Sequence, residues 1–84
     1  MTVLNKINEI LYFADPMKTG CIENRLEDEY FVEAVAIDHQ LMIENSDIET
    51  IKSSVKYVFE LFFWEECLSD CDIEEIAKEI EFVI

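Results

Sequence analysis

The sequence predicts an all-α fold, a single-domain bundle of about four helices spanning residues 1–84. Three observations carry this. Apolar residues recur at helical spacing in four separate segments. One Gly and one Pro are too few to supply the turns of a β-sandwich or barrel. Hydrophobic residues make up 51% of the chain, which excludes a disordered polyelectrolyte despite the charge.

The first helix is expected from about Thr2 to Ala14. Val3, Leu4, Ile7, Ile10, Leu11 and Ala14 follow the i, i+3, i+4, i+7 rule, and Thr2 is a suitable N-cap. Asp15-Pro16 ends it, because a residue preceding proline is driven out of helical geometry. Met17 to Gly20 then reads as a turn in which Gly20 is free to take a positive φ. The second helix is expected from about Asn24 to Ile43. Leu26, Tyr30, Ala34, Ile37 and Leu41 form one stripe, and Phe31, Val35 and Met42 with Val32, Ala36 and Ile43 form two more. A helix apolar nearly all round is either central or covered by something else. Tyr30 to Ile37 also has strand character, but its sparse turn signals and helical neighbours decide for helix.

The third helix is expected from about Asp47 to Glu65, opened by a capping-box pattern at Ser46 to Glu49. Ile48, Ile51, Val55, Val58 and Phe62, widened by Phe59 and Phe63, form its inner stripe. Tyr57, Leu61 and Trp64 lie roughly opposite, divided between a core and an interface role. Lys56 and Glu60 have the spacing of an i, i+4 ion pair. The fourth helix is expected from about Ile73 to Val83. Asp72 to Glu75 reads as its capping box, and Cys71 as a staple against Ile76. Ile73, Ile76, Ala77, Ile80 and Ile84 line its inner face.

Charge is the strongest functional signal. Twenty Asp and Glu against six Lys and Arg give a net charge of −14. That repels phosphate backbones and anionic lipid, so neither direct nucleic-acid binding nor membrane association is expected. A basic protein partner is favoured, and solubility alone is the competing reading. The acids fall in two clusters. One contains Glu23, Glu27, Asp28, Glu29 and Glu33. The other runs through Glu60, Glu65, Glu66, Asp70 and Asp72 to Glu81. Tyr30 borders the first, and Tyr57 and Trp64 the second. Aromatic anchors beside steering charge are the chemistry of an interface. The expected partner-binding set is therefore Glu27, Asp28, Glu29, Tyr30, Glu33, Tyr57, Glu60, Trp64, Glu65, Glu66, Asp70 and Asp72.

Catalysis is not expected. His39 is the sole histidine, no nucleophile accompanies it, and one Gly cannot build a phosphate loop. Cys21, Cys67 and Cys71 are odd in number and lack metal-site spacing, so they read as free thiols, with no metal and no cofactor. The N-terminal segment has no continuous apolar core of a signal peptide, and no apolar run has the length of a membrane span. A cytoplasmic location follows as the expectation.

The ordered pieces resemble a family of small, uncharacterised bacterial four-helix proteins. They are Asp15-Pro16 with Gly20, Glu29 with Ala34-Val35, Ile51-Lys52 with Tyr57 to Phe63, and Cys71 with Ile76-Ala77. The chain departs from that family in having Ala14, where an aromatic residue would precede Asp-Pro. The resemblance implies the helical fold and no established activity. As a class, size, acidity and helicity also resemble immunity proteins that neutralise nuclease toxins in bacterial competition. That likeness implies a basic cognate toxin as partner. Two alternatives stand beside it: a nucleic-acid mimic that inhibits a host nuclease or DNA-binding protein, and a homodimeric adaptor self-associating through Tyr57, Leu61 and Trp64.

Overall fold

A computed structural model describes residues 2–43 and 47–84. Four helices follow one another: α1 (Val3–Ala14), α2 (Phe31–Ile43), α3 (Ile48–Phe62) and α4 (Asp70–Val83). Each packs on its sequence neighbours and α4 closes the ring on α1, leaving the diagonal pairs apart. The helices alternate in direction. Tyr30, just before α2, meets Phe59 near the end of α3, their ring centroids 6.0 Å apart. Phe13 and Ala14 lie by Asp72 and Ile76, whereas Lys6 and Ile10 lie by Glu79 and Val83. The expected all-α bundle is the observed fold.

The core is built from the predicted stripes. Ile7 and Leu11 of α1, Ala34, Ile37 and Leu41 of α2, Ile51, Val55, Val58 and Phe59 of α3, and Ile73, Ile76, Ala77 and Ile80 of α4 are buried together. Cys21, Tyr30 and Leu68 join them from the loops.

Two helix starts differ from expectation. Residues 24–30 are turns rather than the beginning of α2. Residues 21–25 make a single turn that Arg25 closes at φ 57°. Leu26 N–H donates to Cys21 O at 2.7 Å and Arg25 N–H to Ile22 O at 3.2 Å. This 6→1 and 5→2 pattern is a helix-terminating motif. No helix passes through a left-handed residue, so α2 begins only at Phe31. The fourth helix starts three residues early. Its N-cap is Ser69, whose Oγ accepts from Asp72 N–H at 3.1 Å. Cys71 is therefore an exposed helical residue beside Glu75 and no staple. Asp47 caps α3 by accepting from Thr50 N–H at 2.8 Å. Ser46, proposed to open that box, lies outside the described residues.

Candidate functional site

The alternating helices place the 15–30 and 63–69 connections at one end of the bundle, with the N-termini of α2 and α4. That end holds most of the first acidic cluster and the Glu65 to Asp72 part of the second, whereas Glu79 and Glu81 lie toward the far end of α4. Glu23, Glu27, Asp28 and Glu29 project from the first connection. Glu65 and Glu66 project from the second, and Asp70 from the first turn of α4; all seven are exposed. Asp72 is half-buried beside them. Lys18 and Arg25 are the bases of the two connections. Acids at the starts of α2 and α4 also complement the positive ends of those helices.

A row of aromatic rings leads from the core to this pole. Tyr30 meets Phe59, Phe59 stacks on Phe63 at 5.6 Å, and Phe63 meets the edge of Trp64 at 6.2 Å. Trp64 ends the row at the surface, 60% exposed. A large exposed ring on a buried aromatic support, with exposed Glu65 and Glu66 next to it in the chain, has the chemistry of an interface anchor.

The first connection is held by a knot around Asp15, which ends α1 in the left-handed region at φ 41°. Its Oδ1 accepts from Tyr30 O–H at 2.7 Å, Thr19 N–H at 2.9 Å and Thr19 O–H at 3.0 Å. Its Oδ2 accepts from Gly20 N–H at 2.9 Å, and the Tyr30 hydroxyl in turn accepts from Met17 N–H at 2.9 Å. Gly20 takes the predicted positive φ, 75°. Partial burial alone would raise the Asp15 carboxyl, but the bonds from Tyr30, Thr19 and Gly20 outweigh it. They hold the group well below the usual carboxylate range. Burial and the bond to Asp15 push the Tyr30 phenol up.

Three members of the expected binding set have other roles. Tyr30 is a core residue, 1% exposed, and offers a partner nothing. The stripe it shares with Ala34, Ile37 and Leu41 turns it inward. Glu33 is 8% exposed and takes no part in a described hydrogen bond or ion pair. Burial, with Glu29 nearby, pushes its carboxyl up. Glu60 accepts from Glu66 N–H at 2.9 Å, fixing Glu66 at φ 58° and shaping the second connection. It makes no ion pair with Lys56. The described pairs are Lys52 with Glu49 at 3.6 Å and Lys78 with Glu74 at 3.5 Å.

Of the two roles left open for that stripe, Tyr57 and Leu61 are exposed and not core, and they stand along α3 rather than at the pole. Tyr57 lines a shallow hollow with Gln40, Ser53 and Ser54. Among the aromatic residues read as core, Phe59 is buried, Phe63 is half-buried and Phe62 is exposed at the helix end. The sequence reading passed over Phe13 and Phe82, both prominent on the α1–α4 seam. Their signal was there: each is an aromatic residue off the inner stripe of its helix.

The thiols are dispersed in character. Cys21 is buried and donates to Tyr12 O at 3.2 Å, and burial pushes its thiol up. Glu75 pushes the exposed Cys71 thiol up as well. Thiolates, the form that attacks and ligates, are disfavoured at both. Among the described residues, no three His, Cys, Asp or Glu side chains gather to hold a metal ion. No described helix is long and apolar enough to cross a membrane. No protein-family model, no curated protein and no solved structure matches the chain.

Proposed function

We propose that this chain is an immunity-type protein that binds and neutralises a basic toxin domain, a nuclease, through its acidic pole. The observation that supports this reading is that Glu23 to Glu29 and Glu65 to Asp72, far apart in sequence, lie at the end of the bundle that also exposes Trp64. Glu27, Asp28, Glu29, Glu65, Glu66, Asp70 and Asp72 steer the approach, and Trp64 anchors the contact once water is expelled. Nuclease domains are basic because they bind phosphate, so the partner's charge is the complement of this pole. The chain acts by occlusion, without catalysis, and in the cytoplasm, where its thiols stay reduced.

Two steps test this. Tagged protein is used to capture partners from lysate of the source organism at low and raised salt, and the captured protein is then co-expressed with and without this chain. One basic protein retained at both salts, toxic alone and harmless with the chain, is the expected result. A retained partner whose toxicity is unchanged contradicts the reading. A partner displaced from this chain by DNA or RNA, but not itself toxic, replaces it with the nucleic-acid-mimic alternative.

A further inference from the structure

Beside the acidic pole, α1 and the first connection flank an open hollow of about 390 Å³. Two rows of α1 form its wall: Asn5, Glu9 and Phe13 at spacings of four, with Asn8 and Tyr12 next to them. Glu27 closes the other side. There Asn8 Nδ2 donates to the Glu27 carbonyl at 3.2 Å and ties the connection to the helix. The Tyr12 and Phe13 rings meet edge to face, their centroids 5.0 Å apart, and Phe13 is 62% exposed. The charge of the hollow is one-sided. Glu9 and Glu27 are exposed, and neither belongs to a described ion pair. The hollows described along the α1–α4 seam each include a lysine, Lys18, Lys6 or Lys78, whereas this one includes no base. Asn8 Oδ1 is buried in its wall and accepts no hydrogen bond among the described residues.

We propose that this hollow receives an arginine side chain of the basic protein partner. The proposal rests on the reading of that partner as basic, and it assigns one of the partner's contacts. Three features of the wall select the occupant. Two carboxylates without a base attract a cation and repel an acidic side chain. An exposed aromatic ring beside them favours a guanidinium, which is planar, stacks on rings and is more weakly hydrated than an ammonium. The acceptors are spread around the hollow, on Glu9, Glu27 and the Asn8 amide. A guanidinium carries five N–H donors in a fork and no acceptor, whereas a lysine gathers its three at one point. Glu27 is then a direct contact as well as a steering charge, and Phe13 covers the arginine stem.

The test titrates the full chain with a blocked pentapeptide, Gly-Ser-Arg-Ser-Gly, and follows the backbone amides and the Asn8 side-chain amide by NMR. The signals of Asn8, Phe13 and Glu27 should move together and saturate at about 1–10 mM peptide. The same peptide with lysine in place of arginine should bind about threefold more weakly or worse. Phe13→Ala and Glu27→Gln change exposed side chains and leave the core alone. Each should weaken the arginine peptide by about threefold or more. Glu65→Gln with Glu66→Gln, on the other connection, should change it by less than about twofold. Shifts spread over the acids of both connections overturn the proposal. So does a lysine peptide that binds as well as the arginine peptide, or binding that Phe13→Ala leaves unchanged. The titration involves neither the captured protein nor its toxicity, so a harmless partner would sink the immunity reading and leave the arginine hollow standing.

Discussion

Two carboxylates sixteen and two residues from the start of α2 bind protons with opposite consequences for stability. Asp15 has a folded pKa below its unfolded value. Its contribution is fully present above about pH 4 and is lost as pH falls through the depressed folded value. Glu33 has a folded pKa above its unfolded value. It favours folding below the ordinary Glu range, and that contribution is lost as pH rises through the raised folded value. At pH 7 Asp15 therefore stabilises the fold and Glu33 opposes it. Asp15→Asn keeps a residue tolerant of left-handed backbone but removes the charge that accepts four hydrogen bonds. It should cost about 2 kcal/mol in urea unfolding at pH 7, and less at pH 3. Tyr30→Phe leaves Met17 N–H without its partner and should cost about 1–3 kcal/mol. Glu33→Gln should raise stability at pH 7 by about 1 kcal/mol. A loss of that size instead would mean that the carboxylate has a stabilising partner.

The helices were legible from periodicity to the extent that their ends depend on side chains with one meaning. Thr2 caps α1 as read, with Asn5 N–H donating to it at 3.2 Å, and Asp15-Pro16 ends the helix. The α4 start was misplaced because Ser69 and Asp72 are both good caps, and sequence alone does not choose between them. Ser69→Ala should destabilise by about 1 kcal/mol, while Asp72→Ala, which keeps the bonded N–H, should cost less than half of that in thermal unfolding. The late start of α2 was illegible because Arg25, a good helix former, adopts a left-handed conformation where the hydrogen-bonded turn of residues 21–26 closes. Tyr30 shows a different failure. Its inward stripe was visible, but acidic neighbours suggested an anchor, and periodicity was the better guide. The two acidic clusters were legible as sequence. Their meeting at one pole depends on the direction of the helices and on where the two longer connections fall.

At the scale of the whole molecule, charge is spread unevenly. One pole is crowded with exposed acids, the outward face of α2 carries none, and the α1–α4 seam mixes Lys6 and Lys78 with Glu9 and Glu79. Repulsion within the crowded pole opposes compactness, so added salt should raise the melting temperature at neutral pH, by an amount that shrinks when the pole is neutralised. We propose that partner binding belongs to that pole rather than to net charge as such. The most direct test compares two variants of matched charge in binding to the captured basic protein. One carries Glu27→Gln, Asp28→Asn, Glu65→Gln and Glu66→Gln. The other carries Glu74→Gln, Glu75→Gln, Glu79→Gln and Glu81→Gln on α4. The pole variant should weaken affinity by about a hundredfold or more, and the α4 variant should stay within about fivefold of wild type. Equal losses from the two variants would show that the chain is recognised as a diffuse negative charge, and the pole would lose its claim.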